Sequence, residues 1–235
     1  MVSSVDIYEI ANERHDHLSR AINQVTDALA HMDMKVAALV VQLFASVSFN
    51  LMGSFLSLFI SSEITYSLIE ATYWTGIVQL VGSSLMAVSA PFWGSMCERV
   101  GTKKIMILVL AGNAVVYAGM AVSTSVLHVI LFRGLQGTFG GLSTVMFILV
   151  ASIASAGELK KALSYQIAAM TLGSIIGPGI GGLFASIVGY RWTLAISSVL
   201  FLSIIPIVSV LRTPPSMVRE SAAPRFSGAD LKIIM

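Results

Sequence analysis

Long apolar runs separated by short polar stretches fill the chain from about residue 36 to residue 211. Each run has about the twenty residues that a helix needs to cross the hydrocarbon core of a bilayer. The pattern predicts six membrane-spanning helices, over about 36–60, 73–94, 105–122, 126–154, 162–188 and 192–211. A polar segment, 1–35, precedes the helices, and a polar, proline-bearing segment, 212–235, follows them like the beginning of a linker.

Composition places the chain outside the soluble proteins. Of its 235 residues, 56% are hydrophobic and 11% are charged, whereas soluble domains carry about 25% charged residues. The sequence therefore predicts an all-α polytopic membrane protein in contact with the lipid bilayer. The net charge of +2 does not indicate nucleic-acid binding, because the cations are distributed by membrane side and are not clustered on one surface.

Residue spacing in the chain does not match that of a metal, cofactor or catalytic site. The single cysteine, Cys97, excludes a disulfide within the chain, and His15, Asp16 and His17 would point in different directions on a helix. The serines of the spans lack the His–Asp pair that activates a nucleophile. We therefore expect no metal, no cofactor and no catalytic residue, and we expect a protein that is not an enzyme.

The cations are distributed unequally over the predicted loops. Of the 14 Lys and Arg residues, twelve lie in 1–35, in 94–104, between the fourth and fifth spans, and in 212–235. The three loops on the opposite side hold only Arg191, and Arg133 lies inside a span. Because cytoplasmic loops retain Lys and Arg, the sequence predicts a plasma-membrane protein with both termini in the cytoplasm.

A weak internal repeat relates the two halves of the six-helix region. The second predicted span ends in Pro-x-x-Gly and continues as Val-Gly-Thr-Lys at 100–103. The fifth span also contains Pro-x-x-Gly, followed by Val-Gly-Tyr-Arg at 188–191, and the offsets are 87 and 88 residues. Since the first copy ends on the cytoplasmic side and the second ends outside, the repeat predicts two inverted three-helix units, as in many secondary transporters.

Arg133 is the costliest side chain in the chain. It lies about seven residues into the fourth predicted span, where inserting an arginine costs at least ~2.5 kcal/mol, so we expect it to face the bundle interior or a wet cavity. Two interpretations stay open. Arg133 is either a buried switch that responds to substrate or protons, acting with Gln136 and Gly137, or a structural arginine bonded to helix-end carbonyls.

Five glycines and a proline are concentrated in the middle of the fifth predicted span, at 173–182. Small residues let membrane helices approach closely, and a proline frees a carbonyl and allows a bend. The cluster therefore indicates helix packing, a hinge that opens and closes a cavity, or both. The residues that define the hinge hypothesis are Gly173, Gly177, Pro178, Gly181 and Gly182.

Three uncharged polar residues lie inside the first two predicted spans: Gln42, Asn50 and Gln79. Each is expected either to line a cavity or to bridge neighbouring helices, because polar side chains in membrane helices hydrogen-bond across helix contacts.

Three segments together resemble the major facilitator superfamily, in particular its drug:proton antiporter branch. Segment 94–104 is similar to the family's loop between the second and third helices, with Met96, Cys97, Glu98 and Thr102 as departures. Residues 131–137, Leu-Phe-Arg-Gly-Leu-Gln-Gly, resemble the fourth-helix motif whose arginine is associated with proton coupling. Residues 173–182 match the fifth-helix motif Gly-x-x-x-Gly-Pro-x-x-Gly-Gly at each specified position, and in the family that motif marks exporters.

The resemblance implies half of a twelve- or fourteen-helix transporter. Its expected partners are protons, a small-molecule substrate and a second six-helix half, and its expected activity is proton-driven efflux of amphipathic molecules by alternating access. Segment 94–104 would form an inner gate against the missing half. The residues implied for that gate are Gly94, Glu98, Arg99, Gly101, Lys103 and Lys104.

Alternatives to this function stay open. The chain could be a half that transports nothing or assists another half, or a sugar or metabolite carrier of the same fold. The six predicted spans contain no Asp or Glu, although proton coupling normally needs a titratable carboxylate in the cavity. That carboxylate would lie in the second half or be Glu98, unless the protein is not coupled to protons.

Overall fold

The computed structural model describes residues 34–155 and 157–210, and within them almost every residue is helical. The hypotheses for the terminal segments 1–35 and 212–235 concern residues outside this described part, apart from Met34 and Lys35. The α-helices of the described part are α1 (Met34–Asn50), α2 (Leu56–Ile60), α3 (Leu68–Val100), α4 (Thr102–Ala121), α5 (Val126–Thr138), α6 (Leu142–Ile153), α7 (Leu159–Val188) and α8 (Tyr190–Val210).

These helices form six stretches that are long and apolar enough to cross a membrane, which confirms the predicted fold class. We number them spans 1 to 6: Met34–Ser54, Leu68–Val100, Thr102–Ala121, Val126–Ile153, Leu159–Val188 and Tyr190–Ser209. Span 1 consists of α1 and a 3₁₀ turn, Leu51–Ser54, and span 4 consists of α5 and α6. The remaining spans are single helices.

The helix boundaries differ from the sequence prediction at both ends of span 2. The helix begins at Leu68, after Ser67, whose Oγ accepts a hydrogen bond from the Glu70 amide (3.4 Å), and the predicted loop 61–72 also contains a π-helical turn, Ser61–Thr65. The predicted polar loop 94–104 is wrong as a loop, because α3 continues to Val100 and α4 begins at Thr102. Polarity marks the membrane surface there, and the helix continues beyond it.

A single glycine joins α3 to α4. Gly101 has φ = 98°, and Gly189, which joins α7 to α8, has φ = 86°. A side chain is strained in this region of backbone space, so glycine permits both one-residue turns. The two glycines lie 88 residues apart, at equivalent places of the predicted repeat.

Contacts between the helices confirm the inverted repeat. The three most extensive contacts join span 3 to span 6, span 1 to span 5, and span 2 to span 4. Exchanging spans 1, 2 and 3 with spans 4, 5 and 6 converts the second contact into the third and leaves the first unchanged. The helix breaks obey the same relation, since α1 ends at Asn50 and α5 ends at Thr138, 88 residues later.

Two cations fasten the central pair, spans 3 and 6, at opposite ends. Lys103, near the start of span 3, donates to the Ser209 carbonyl at the end of span 6. Arg191, near the start of span 6, donates to the carbonyls of Ala121 (3.0 Å) and Ser123 (2.9 Å) at the end of span 3. Helix-end carbonyls lack intrahelical partners, and the repeat closes both ends in the same way.

Candidate functional site

A chain of hydrogen bonds crosses the bundle through Arg133 of span 4. Its Nε donates to Gln79 Oε1 of span 2 (3.0 Å), and its Nη1 donates to Gln136 Oε1. Gln136 Nε2 donates to the hydroxyl of Tyr117 in span 3 (2.6 Å), and that hydroxyl donates to the Phe49 carbonyl in span 1 (2.6 Å). These hydrogen bonds, which we call the Arg133 chain, connect Arg133 of span 4 with spans 1, 2 and 3. The last of them lies where α1 ends.

The space for the arginine comes from a glycine on span 2. A Cβ built at Gly82 would lie 3.0 Å from Arg133 Cγ and 3.1 Å from its Nε. On its other side, the guanidinium carbon lies 5.8 Å from the ring centroid of Phe49, within the range of a cation–π contact. Among the described residues, no carboxylate forms an ion pair with Arg133, so neutral groups hold the charge.

The break in span 4 is closed by side chains from spans 2 and 3. Three consecutive carbonyls at the end of α5 each accept a hydrogen bond from such a side chain, and each donor is buried. The bonds are Ser89 Oγ to Gly137 O (3.2 Å), Trp93 Nε1 to Thr138 O (2.6 Å) and Asn113 Nδ2 to Phe139 O (3.0 Å). Non-helical backbone at membrane depth is tolerated where protein satisfies it in this way.

The sequence patterns did not single out these donors or Tyr117. A tyrosine, a tryptophan and an asparagine inside apolar runs were the available signal, because their polar atoms need partners when they are buried. Gln79 was expected to line a cavity or bridge helices, and the structure places it as a bridge to Arg133. Gly137 makes the close approach of spans 4 and 2, since a Cβ there would lie 2.1 Å from Gly82 O.

The glycines of span 5 pack against the backbone of span 1. Added Cβ atoms would lie 2.4 Å from Ser46 Cβ at Gly173, 2.9 Å from Val47 O at Gly177 and 1.9 Å from Leu51 O at Gly181. The structure thus shows the packing role of the cluster. Helix α7 continues through Pro178, whose carbonyl accepts a hydrogen bond from Ser54 Oγ (2.8 Å). A Cβ added at Gly182 would lie 3.5 Å from the Oγ of the same serine, an ordinary contact distance.

Segment 94–104 lies at the end of the bundle and contributes charge there. Glu98, Arg99 and Lys104 are exposed, whereas Lys103 is bonded to span 6. Gly94 has open space around its Cα, because no atom lies within 4 Å of an added Cβ. The segment is therefore separate from the Arg133 chain, at the membrane surface.

A partly open cavity of about 240 Å³ lies between the spans, next to both helix breaks. Gln42 and Asn50 line it, as one of the two hypotheses for them expected, and Gln79 does not. Its wall combines aromatic, thioether and uncharged polar side chains from all six spans, and no charged residue is among them. The lining residues are Gln42, Ala45, Ser46, Phe49, Asn50, Met86, Asn113, Phe139, Gly140, Leu142, Ser143, Met170, Thr171, Ser174 and Phe201.

The polar part of the wall on span 1 is held by a buried amide pair. Gln166 Nε2 of span 5 donates to Gln42 Oε1 (2.9 Å), and Gln42 Nε2 donates to Ser46 Oγ (3.0 Å). Asn50 Nδ2 donates to the Ser46 carbonyl (2.8 Å). Within the described residues, three or more His, Cys, Asp or Glu side chains do not come together as metal ligands would. The arrangement can hold a polar but uncharged group.

Comparison with known proteins gives consistent matches. A model of the Major Facilitator Superfamily matches residues 38–233. The chain is 30% identical over 149 residues to the staphyloferrin B transporter of Staphylococcus aureus, which covers 63% of this chain and 36% of that protein. It is 27% identical over 178 residues to the multidrug resistance protein MdtG of Dickeya zeae, covering 75% of this chain and 44% of that protein.

A solved structure resembles the fold. The human organic anion transporter MFSD10 (TETRAN) superposes with a TM-score of 0.62 at 20% sequence identity, over 76% of this chain and 47% of that one. The chain spans less than half the length of each of these three relatives.

Proposed function

This chain belongs to the major facilitator superfamily of transporters, and we propose that it forms one six-helix half of a proton-driven exporter of amphipathic small molecules. The observation that carries the proposal is the Arg133 chain, which connects a membrane-embedded cation to the broken part of span 1 beside the cavity. The glycine cluster of span 5 and the relative named as a multidrug resistance protein support export.

The contacts of Arg133 support alternating access as the mechanism of the proposal. Within the part of the chain that the structure describes, amides and an aromatic ring hold Arg133 and no carboxylate does. A carboxylate or a substrate anion brought near it would therefore compete for its donors. Releasing Gln136 would release Tyr117 and then the Phe49 carbonyl, which changes the cavity wall. Arg133 is in this way the buried switch of the proposal.

Span 5 supplies the proposed hinge. Because Gly173, Gly177 and Gly181 have no side chains, few side chains lie between spans 1 and 5 to obstruct a bend. Pro178 has no amide hydrogen, so one helical hydrogen bond is missing at that level. We place the bend at Gly177 and Pro178, where the missing bond lowers the cost of changing the helix direction.

The coupling proton needs a carboxylate, and the six described spans contain only Glu70 and Glu98, at the two ends of α3. The proposal therefore assigns proton binding to Glu98 or to a carboxylate of the second half. Exposed Glu98, Arg99 and Lys104 form the inner gate of the proposal. The excess of cations at that end of the bundle supports its cytoplasmic location in the plasma membrane.

A second candidate function is export of a polar metabolite. The relative named as a staphyloferrin B transporter favours it. The wall of the cavity is uncharged and combines three phenylalanine rings with uncharged polar side chains, which favours the amphipathic substrate instead.

The test is transport in proteoliposomes that contain this chain together with its second half. With an imposed pH gradient, we expect transport of a fluorescent amphipathic dye, and at least a tenfold loss in Arg133→Gln, since glutamine keeps hydrogen bonding but removes the charge. Membrane abundance and thermal stability of the variant should remain near those of the unmodified chain. A variant that fails only because it unfolds would favour the structural role of Arg133.

The pH gradient provides a second comparison. Dye transport that is unchanged when the gradient is abolished would contradict proton coupling. If the unmodified complex is folded and transports nothing, the result would favour the alternative in which this chain is a half without transport activity.

A further inference from the structure

Two buried hydrogen-bond acceptors at the cavity have no donor. They are Asn113 Oδ1 and Gln166 Oε1, and among the described residues they are the buried side-chain nitrogen and oxygen atoms without a partner. Asn113 lines the cavity, and Gln166 is bonded to Gln42, which also lines it. An unmet buried acceptor destabilises the folded protein, so a ligand that brings a donor is favoured there.

The orientation of the Asn113 amide follows from its own bonds. Asn113 is 1% exposed, and its Nδ2 donates to Val109 O (2.9 Å) and to Phe139 O (3.0 Å). Both acceptors are carbonyls and cannot bond to the amide oxygen, so the nitrogen must face them. Oδ1 is consequently the end of the amide that is left to accept a bond.

The rest of the wall selects an aromatic or apolar body. Phe49, Phe139 and Phe201 contribute rings, and Met86 and Met170 contribute thioethers that adapt to the shape of a ligand. A cavity of about 150 Å³ in another protein binds benzene. The cavity here, about 240 Å³, therefore has room for a two-ring aromatic molecule.

The charge around the cavity disfavours a cation. No lining residue is acidic, and the Arg133 guanidinium lies 5.8 Å from the centroid of the Phe49 ring that forms part of the wall. Like charges repel strongly in a medium of low dielectric constant. The donor that fits best is a neutral hydroxyl or amide N–H.

We propose that this cavity is a binding subsite for a neutral hydrogen-bond donor on an aromatic body, with Asn113 as its specificity-determining residue. The subsite lies within one six-helix half, because its lining residues come from all six spans of this chain, with Asn113 from span 3 and Phe201 from span 6. As a statement about the exported substrate, the inference rests on the proposed function. As a statement about binding, it concerns this chain by itself.

The test measures binding to the 235-residue chain in lipid nanodiscs. The probes are 2-naphthol, 2-methoxynaphthalene and 2-naphthylmethylammonium, which present a neutral donor, no donor and a cation on the same ring system. Empty nanodiscs correct for partition into lipid. We expect 2-naphthol to bind about tenfold more tightly than the other two, the effect of about one hydrogen bond.

Asn113→Leu removes the acceptor at similar volume. We expect it to abolish the tenfold preference for 2-naphthol while leaving the affinity for 2-methoxynaphthalene within twofold. Ser198→Ala is the matched control, because it removes a buried hydroxyl at the contact of spans 3 and 6 that bonds Ala114 O (2.7 Å) and does not line the cavity, and it should preserve the preference. Circular dichroism and size-exclusion profiles check that each variant is folded.

Equal affinities of the three probes for the unmodified chain, or a preference for the ammonium, would overturn the subsite. This comparison also decides the case if Asn113→Leu does not fold, because it needs no variant. If the probes bind as expected but the joined transporter exports nothing, the proposed function fails and the subsite stands. If export proceeds while the probes do not discriminate, the subsite fails alone.

Discussion

The contact between spans 1 and 5 and the contact between spans 2 and 4 are equivalents in the inverted repeat, but they use different chemistry. Spans 1 and 5 meet backbone to backbone over three glycines of span 5. Spans 2 and 4 meet through hydrogen bonds of Arg133, Ser89 and Trp93. They also approach closely at three glycines of span 4: Gly137, Gly140 and Gly141. Both contacts combine packing with hydrogen bonds, but backbone packing dominates the first, whereas the second includes the charged Arg133 and the donors that close a helix break.

The repeated Pro-x-x-Gly motif shows the same divergence. In span 5, Gly181 of the motif touches span 1, whereas its counterpart in span 2, Gly94, has no neighbour within 4 Å of an added Cβ. The motif is therefore present in both span 2 and span 5, but its glycine packs against another span of the half only in span 5. Equivalent position in a repeat does not fix equivalent contacts.

The largest expected effect breaks the glycine contact. In Gly181→Ala the new methyl group would lie 1.9 Å from Leu51 O, and a backbone atom cannot rotate away. We expect the free energy of unfolding to fall by about 3 kcal/mol, the upper end of the usual cost of overpacking, measured by thermal or denaturant unfolding in detergent.

Gly179→Ala is the matched control for that variant, two residues away on the same helix. No atom lies within 4 Å of its added Cβ, and alanine favours helix more than glycine does. Its stability should equal or slightly exceed that of the unmodified protein. Equal losses in the two variants would mean that helix α7 itself, and not its contact with span 1, is sensitive.

A smaller effect is expected from the polar network. Tyr117→Phe leaves Gln136 Nε2 and the Phe49 carbonyl without their common partner, and such unmet buried groups cost about 2 kcal/mol. The corresponding change at Tyr73, which is 66% exposed, should change stability by much less. If Tyr117→Phe is as stable as Tyr73→Phe, the hydrogen bonds from span 3 to spans 1 and 4 do not stabilise the bundle.

The smallest effect concerns the ion pair that adds polarity to the span 1–span 5 contact. Hydrogen bonds from Lys35 (2.8 Å) and Ser155 (2.9 Å) lower the pKa of Glu158 from its ordinary value. A carboxyl whose pKa is lowered on folding stabilises the protein above its unfolded-state pKa, and this contribution disappears as the pH falls through the folded-state pKa.

Glu158→Gln should therefore lower the melting temperature slightly at pH 7 and have no effect at acidic pH, where Glu158 itself is protonated. The shift should be small, because both partners are exposed to solvent. Lys160→Gln, at an exposed neighbour, serves as the control. A melting difference for Glu158→Gln that stays constant from neutral to acidic pH would contradict this account.

Sequence patterns were sufficient for the six helices, the repeat offset and the marked residues Arg133 and Gly173 to Gly182, because each depends on local composition or spacing. The helix breaks at Asn50 and Thr138 were not predicted. Donors from other spans bond the carbonyls at these breaks: Trp93 and Asn113 at the break in span 4, and Tyr117 at Phe49 in span 1. The predicted second span is shorter than α3, because it ends where the apolar run ends. The charged residues that follow continue the helix beyond the membrane surface.

The two cation caps of spans 3 and 6 have a consequence for the order of assembly during translation. The carbonyls of Ala121 and Ser123 accept bonds from Arg191, and Lys103 donates to Ser209. When the ribosome has completed five spans, neither partner has yet been synthesised. Insertion of span 6 is thus the step that seals both ends of span 3, and a nascent chain stalled before it would expose these groups to chaperones and proteases.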